Sequence, residues 1–240
     1  MNKAICTALL ALGLGSGPAH AEITIGATLP LTGPGSGLGI PSKNGISLWP
    51  ETIAGEKIRV IILDDATDPT LANKNARRLI GEDKVDLIIG TPSTPTALAV
   101  AAVAAEGQTV HLSSTPIDMA PGKGLWTFRL SQHNPLMART LVAHMKKNGV
   151  KTFAFLGYAD AYGEGWLKDV LPVARQAGIR LTTSERFGRA DTSVTAQALK
   201  VIASGPDAIL VVAAGSGAAM PHKALVERGY KGKIYQTSAA

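Results

Sequence analysis

Short apolar runs of strand length alternate with helix-length amphipathic segments from residue 22 to the end of the chain. Residues 23–29 and 58–63 are the first two runs, and Asp68 followed by Pro69 then marks the start of a helix, with Asp68 as its N-cap. Strands that alternate with helices of about ten or more residues predict βαβ units with right-handed crossovers. The alternation therefore predicts an α/β fold built on parallel sheets.

One long connection interrupts this alternation. Residues 113–129 are rich in Pro and Gly and carry no helix pattern, whereas strand and helix patterns resume after them. We therefore expect two doubly wound parallel-sheet lobes, the first at residues 22–130 and the second at residues 131–240.

The first 21 residues have the three-part pattern of a cleavable signal peptide. Lys3 supplies the positive charge, residues 4–15 form the apolar run, and Ala19-His20-Ala21 has the small residues that a signal peptidase requires. The apolar run is too short for a membrane-spanning helix, which needs ~20 residues. The pattern predicts export to the periplasm as an unanchored protein that begins at Glu22. The alternative is a buried helix that opens the first domain.

Cysteine content and charge distribution exclude several classes of function. The one cysteine, Cys6, lies within the predicted signal peptide, so the exported protein would have no disulfide, thiol nucleophile or cysteine-ligated metal. The formal net charge is +6, and the Lys and Arg residues are scattered rather than clustered with aromatic residues. A nucleic-acid-binding surface normally concentrates such residues, so we expect no nucleic-acid partner.

Four loops that follow predicted strands are rich in glycine and hydroxyl side chains. They are residues 32–39, 91–96, 113–115 and 158–163. In open α/β sheets, ligands bind beyond the carboxyl ends of the strands, where helix N-termini also present free N–H groups. Hydroxyl groups in such loops also serve as ordinary helix caps. Their recurrence at four strand ends nevertheless predicts a site for a carboxylate or another small hydrogen-bond acceptor.

Other kinds of chemistry find little support in the sequence. The glycine-rich loop, which we expect to precede a helix from Pro41 towards Trp49, lacks the complete spacing of a dinucleotide-binding or P-loop motif. Asp64, Asp65 and Asp68 could bind a cation, but they match no complete calcium loop, and capping of the next helix explains Asp68 more simply. The histidines show no metal-ligand spacing, and the sequence contains no GxSxG motif. We therefore expect neither a cofactor, nor a bound metal, nor a catalytic activity.

Several of these stretches, taken in order, resemble the leucine/isoleucine/valine-type periplasmic binding proteins. The similar stretches are ITIGATLPLTGPGSGLG, DDATDPTLANKNARRLI, VDLIIGTPSTPTALAVAAVAAE, HLSSTP, YADAYGEGW and PDAILVVAAGS. Members of that family are the receptor subunits of ABC importers and have the type I periplasmic binding protein fold. The resemblance implies a monomer that binds an amino acid or a related small carboxylate between its lobes and then docks on an inner-membrane ABC permease.

The resemblance also implies roles for residues of the first lobe. Thr94, with Ser93 beside it, falls where a serine of the family binds the ligand carboxylate. The strand-end segment of Ser113, Ser114 and Thr115 falls where backbone and hydroxyl groups contact the ligand. A purely structural role for Thr94, as a cap of the following helix, is the alternative.

At further positions, in both lobes, the sequence follows or departs from the family pattern. Tyr162 matches the tyrosine that closes over the ligand, although partly buried packing would also explain it. Leu38 stands where amino-acid binders often carry an aromatic residue, and Gly215-Ser216 occupies the region of another. Ser238 stands near the acidic residue that usually pairs with the α-ammonium group, and a buried ammonium without a counter-charge is costly. Either the ligand is a carboxylate without an α-amine, or the alignment is shifted here by one or two residues.

The resemblance further implies that the family's chains continue for about a hundred residues or more beyond the position of Ala240. We therefore expect the fold to be incomplete at its C-terminus.

Three hypotheses for the function follow from the sequence. The first is the solute receptor of an ABC importer. The second is a ligand-sensing regulatory module of the same fold, and the third is an exported α/β enzyme, for which no catalytic triad or metal motif is present.

Overall fold

The computed structural model describes residues 22–119, 122 and 124–240. The predicted signal peptide lies outside the described residues. Within them, two sheets form, one from strands between residues 22 and 129 and the other from strands between residues 152 and 236. The predicted α/β architecture on parallel sheets is confirmed. None of the helices in the described part of the chain combines the length and apolar character needed to span a bilayer.

The first sheet has six strands in the order β2-β3-β1-β4-β5-β6. Every neighbouring pair is parallel except β2 and β3, which form an antiparallel hairpin at one edge. The elements of this lobe are β1 (Glu22–Leu29), α1 (Ser36–Ile46), β2 (Thr52–Ile53), β3 (Glu56–Asp64), α2 (Pro69–Gly81), β4 (Leu87–Gly90), α3 (Thr94–Glu106), β5 (Val110–Ser113) and β6 (Thr127–Arg129).

The second sheet has four parallel strands in the order β10-β9-β7-β8. Of its two inner strands, β9 is buried along its whole length, because helices pack on both faces of the sheet. The elements of this lobe are α4 (Asn134–Lys147), β7 (Thr152–Tyr158), α5 (Ala161–Gln176), β8 (Arg180–Phe187), α6 (Thr195–Ala203), β9 (Ala208–Val212), a 3₁₀ turn (Gly215–Ala218), α7 (Ala219–Glu227) and β10 (Lys233–Gln236).

Two helix starts follow directly from local chemistry. Asp68 caps α2 as predicted: its carboxylate accepts a hydrogen bond from the Leu71 backbone N–H at 2.8 Å, and Pro69 occupies the first turn. Asp160 caps α5 by accepting from the N–H groups of Tyr162 and Gly163. Gly163 is required there, because an added Cβ would collide with the carbonyl oxygen at the end of β7.

The structure corrects two sequence predictions in the first lobe. Helix α1 begins at Ser36 rather than at Pro41, because the glycines assigned to a loop form its first turn. Gly39 lies so close to the Pro30 backbone that any Cβ would collide with it, so this glycine provides close packing rather than a flexible loop. The connection at residues 113–129 is not wholly irregular either, since its last three residues form β6 and pair with β5.

Candidate functional site

A cleft of about 210 Å³ lies where the carboxyl ends of strands from both sheets face each other. The first lobe contributes residues from α1 and from the segments after β4 and β5. The second lobe contributes residues 131–132, residues from α4 and α5, and residues from the segments after β8, β9 and β10. The lining consists of Leu38, Pro92, Thr94, Ser114, Thr115, Pro116, Ser131, Gln132, Met137, Tyr162, Trp166, Arg189, Ala214, Ser238 and Ala239.

A larger apolar groove of about 520 Å³ adjoins this cleft and shares four lining residues with it: Gln132, Met137, Trp166 and Ser238. Its walls come mainly from α4, α5 and the region of β10, and the first lobe contributes none of the strand-end hydroxyls to it. We therefore take the smaller cleft, which both sheets line, as the candidate site.

Five of the seven residues that the sequence predicted for a site line the cleft together. They are Leu38, Thr94, Ser114, Thr115 and Tyr162. The hydroxyl oxygens of Thr94 and Thr115 lie 3.3 Å apart, within hydrogen-bonding distance. Thr94 is also the first residue of α3, so its hydroxyl lies beside the free N–H groups of that helix N-terminus. This corner of the cleft can donate several hydrogen bonds to one acceptor.

The other two predicted residues, Ser93 and Ser113, lie behind the wall and do not line the cleft. The Ser113 hydroxyl is buried and donates to the Thr115 carbonyl oxygen at 2.9 Å, which fixes the turn that carries Thr115. The Ser93 hydroxyl is buried and finds no hydrogen-bond partner among the described residues.

Tyr162 is tied to the end of β10 through its hydroxyl. That hydroxyl lies 2.7 Å from the Thr237 hydroxyl, which itself donates to the Ala213 carbonyl oxygen at 3.2 Å. Because Thr237 has a single hydroxyl proton, Tyr162 is the donor of their mutual bond. Burial raises the pKa of Tyr162, although the bond to Thr237 opposes this, so the ring enters the cleft as a neutral phenol.

Arg189 is the charged residue that the sequence analysis did not find. It follows β8, and its Nε donates to Asp160 Oδ2 at 2.6 Å. Its guanidinium carbon lies 4.2 Å from the centroid of the Tyr158 ring, and only 13% of its side chain is exposed. Among the described lining residues, Arg189 alone carries a formal charge. Asp160 offsets that charge from one side, at Nε, and a guanidinium held in this way suits a planar anion.

Two further residues that line the cleft, Trp166 and Ser131, have buried polar atoms that lack a hydrogen-bond partner among the described residues. The Ser131 hydroxyl and the Trp166 indole N–H are both buried without a well-aligned hydrogen bond among the described residues. Burial raises the pKa of Tyr162, and the nearby Trp166 indole N–H acts against this rise. Buried polar groups in native proteins normally find a partner, so a bound molecule or water would complete these two.

The periplasmic binding protein family matches residues 22–240, which is the whole described span. The chain belongs to this family. A curated relative, the Leu/Ile/Val-binding protein BraC3 of Rhizobium johnstonii, is 31% identical over 190 residues, which cover 74% of this chain and 51% of the relative.

Solved structures of similar proteins agree with this periplasmic binding protein in fold. An extracellular ligand-binding receptor from Rhodopseudomonas palustris HaA2 is 45% identical, with a TM-score of 0.89 over 92% of this chain and 62% of that one. A solute-binding protein of an ABC transporter from R. palustris BisB5, in complex with 3,4-dihydroxybenzoic acid, is 27% identical, with a TM-score of 0.82 over 91% of this chain and 62% of that one. The predicted type I fold is confirmed, and the chain spans about half to three-fifths of the length of these relatives.

The three aspartates considered as a cation site in this binding protein have structural partners. Burial opposes ionisation of Asp64, but hydrogen bonds from Thr32, Ala66 and Leu31 outweigh it and lower its pKa. Burial raises the pKa of Asp65, which lies 3.3 Å from the Thr28 hydroxyl, and Asp68 caps α2. Across residues 22–119, 122 and 124–240, no group of three His, Cys, Asp or Glu side chains is arranged to hold a metal ion.

Proposed function

We propose that this binding protein captures a small carboxylate between its two lobes in the periplasm and delivers it to an inner-membrane ABC permease, without chemical turnover. The observation that supports it most is the composition of the cleft. Among the described lining residues, the first lobe contributes hydroxyl groups and the second lobe one cation, at the carboxyl ends of both sheets.

Each part of this arrangement has a role in the proposed complex. Thr94, Ser114 and Thr115 would donate hydrogen bonds to one part of the ligand, assisted by the N-terminus of α3. Arg189 and Tyr162 would contact it from the second lobe. A ligand that touches both lobes stabilises the closed arrangement over the open one, which is the differential affinity that a hinge-bending receptor requires.

The names of the relatives are consistent with a carboxylate ligand. One relative is a Leu/Ile/Val-binding protein, and a structural neighbour holds 3,4-dihydroxybenzoic acid. Amino acids and benzoic acids share the carboxylate group and differ in the ammonium group. From these relatives we therefore infer only that the ligand of this chain has a carboxylate group.

Ligand-induced thermal shift and titration calorimetry on the purified protein test the proposal, with a panel of amino acids and small organic acids. We expect a rise in Tm with at least one acid and a loss of that rise in Thr94→Ala combined with Tyr162→Phe. Ser47→Ala, in the exposed end of α1, is the control and should leave the shift unchanged. A panel that produces no shift with any acid would contradict the proposed function.

A further inference from the structure

The described lining of the cleft includes one cationic side chain and no carboxylate, and this difference affects which acids can bind. Asp160 is the acidic residue bound to Arg189, and both of its oxygens are occupied. Oδ1 accepts from Tyr162 N at 2.8 Å and from Gly163 N at 3.2 Å, and Oδ2 accepts from Arg189 Nε at 2.6 Å. The described lining contains no Asp or Glu.

Ser238, at the position where the sequence suggested a missing acidic residue, does line the cleft. Its hydroxyl lies 3.1 Å from the Met137 sulfur, which is a neutral contact. An α-ammonium group placed in this cleft would lose its water and, among the described lining residues, would meet the Arg189–Asp160 ion pair rather than a free carboxylate.

We propose that the ligand is a carboxylate without an ammonium group, and that Arg189 is the residue that selects it. This inference rests on the proposed binding function and narrows its ligand class. The guanidinium is held in place on two sides, by Asp160 at Nε and by the Tyr158 ring at 4.2 Å. Within the described residues its terminal nitrogens make no hydrogen bond, so a planar pair of donors is left for a carboxylate.

The rest of the cleft determines the size and polarity of the ligand body. Leu38, Met137 and Trp166 supply apolar surface from both lobes. An apolar cavity of about 150 Å³ accommodates a benzene ring. The cleft volume of about 210 Å³ therefore leaves room for one ring, or a branched aliphatic group of that size, together with its acid group. An aromatic or branched aliphatic monocarboxylate satisfies both the volume and the charge.

Matched pairs of ligands that differ only in the ammonium group test the selection. The pairs are 3-phenylpropanoate with L-phenylalanine and 4-methylpentanoate with L-leucine, measured by titration calorimetry at neutral pH. We expect the acid of each pair to bind at least about tenfold more tightly, since an unpaired buried charge is costly. Amino acids that bind as tightly as their deaminated acids would overturn the inference and leave the proposed function standing. Failure of both pairs while another acid of the panel binds would also overturn the inference, whereas only failure of every acid in the panel would contradict the proposed function itself.

Substitution at Arg189 tests its role separately. Arg189→Gln should weaken acid binding on the order of 100-fold, whereas Arg189→Lys, which keeps the charge but not the planar donor pair, should lose less. Arg186→Gln is the matched control, because Arg186 lies near the end of β8, packs on the ring of Phe155 and pairs with Glu164, but does not line the cleft. We expect wild-type affinity from that control.

A neutral analogue distinguishes direct contact from a structural role. 3-Phenylpropanamide keeps the shape of the acid and lacks its charge, so Arg189→Gln should change its affinity by less than about threefold. An equal loss for acid and amide would show that Arg189 only maintains the fold of the wall and would overturn its role in selection. If Arg189→Gln does not fold, the affinities for the acid and the amide are compared in the wild type and in Arg189→Lys instead. A larger loss for the acid supports selection by Arg189, and an equal loss for both ligands overturns it.

Discussion

Asp160 combines two functions in one carboxylate, and two substitutions separate them. Its Oδ1 caps helix α5 and its Oδ2 binds Arg189. Asparagine is as good an N-cap as aspartate, whereas alanine is not. Asp160→Asn therefore removes mainly the ion pair, and Asp160→Ala removes both the ion pair and the cap.

The structure gives the magnitude of each part. Loss of an N-cap costs about 1 kcal/mol, with a range of roughly 0.5–2 kcal/mol. The ion pair is mostly shielded, with 13% of the Arg189 side chain and 19% of the Asp160 side chain exposed. Its disruption should therefore cost more than the ~0–1 kcal/mol of a surface pair and less than the ~3–5 kcal/mol of a fully buried one. We expect a loss of about 1–3 kcal/mol for Asp160→Asn and about 1 kcal/mol more for Asp160→Ala.

Urea unfolding followed by tryptophan fluorescence measures these differences, since Trp166 is buried in the helix that Asp160 caps. Asp68 provides the matched control, because it caps α2 and, within the described residues, forms no ion pair. Asp68→Asn should be nearly neutral, and Asp68→Ala should cost about 1 kcal/mol. Wild-type stability in Asp160→Asn would refute the contribution of the ion pair, and equal stabilities of Asp160→Asn and Asp160→Ala would refute that of the cap.

Three further predictions concern the core, pH and the contact between the lobes. Trp166→Ala should lower the free energy of unfolding by about 3–5 kcal/mol, as seen by urea titration, because the indole is almost fully buried. Burial lowers the pKa of His111 in the folded protein below its ordinary value of 6.5, so on acidification the unfolded chain binds a proton before the folded protein does. The free energy of unfolding should therefore fall as the pH drops below about 6.5, by at most about 1.4 kcal/mol per pH unit. This fall should be shallower in His111→Gln. Gly37→Val should bind ligand more weakly than Gly45→Val in calorimetry, while the two variants should have nearly the same stability. A Cβ at Gly37 would lie 2.9 Å from the Ser216 hydroxyl of the other lobe, whereas a Cβ at Gly45 meets nothing within 4 Å. Equal affinities of the two variants would contradict a role for this contact in closure.

The sequence predicted those elements of the fold whose position is determined by residues adjacent in the chain. The Asp68–Pro69 start of α2 is one such case, because cap and first turn are adjacent in the chain. The start of α1 was predicted wrongly, since Gly39 is required by the distant Pro30 backbone and not by a loop conformation. Strand β6 was missed because its three residues are defined by pairing with β5 rather than by a pattern of their own.

The same distinction explains the candidate site. Hydroxyls at strand ends could be predicted, because every carboxyl end of a parallel sheet faces the same edge. Arg189 could not, because it is one of 24 Lys and Arg residues and only its bond to Asp160 singles it out. Trp166 lies four residues after Tyr162 on the same face of α5, a spacing that is typical of a core stripe and gave no sign of the cleft.

The two walls of the cleft differ in how firmly they are held, which gives the proposed capture a direction. In the second lobe, Asp160 fixes Arg189, and Thr237 fixes Tyr162 to the end of β10. In the first lobe, the contact between the Thr94 and Thr115 hydroxyls is longer, at 3.3 Å. A preorganised cation loses little freedom on binding, so the carboxylate should bind first to the second lobe. The hydroxyls of the first lobe would then form hydrogen bonds to the ligand only as the lobes close. The free energy of these hydrogen bonds would therefore stabilise the closed state over the open one.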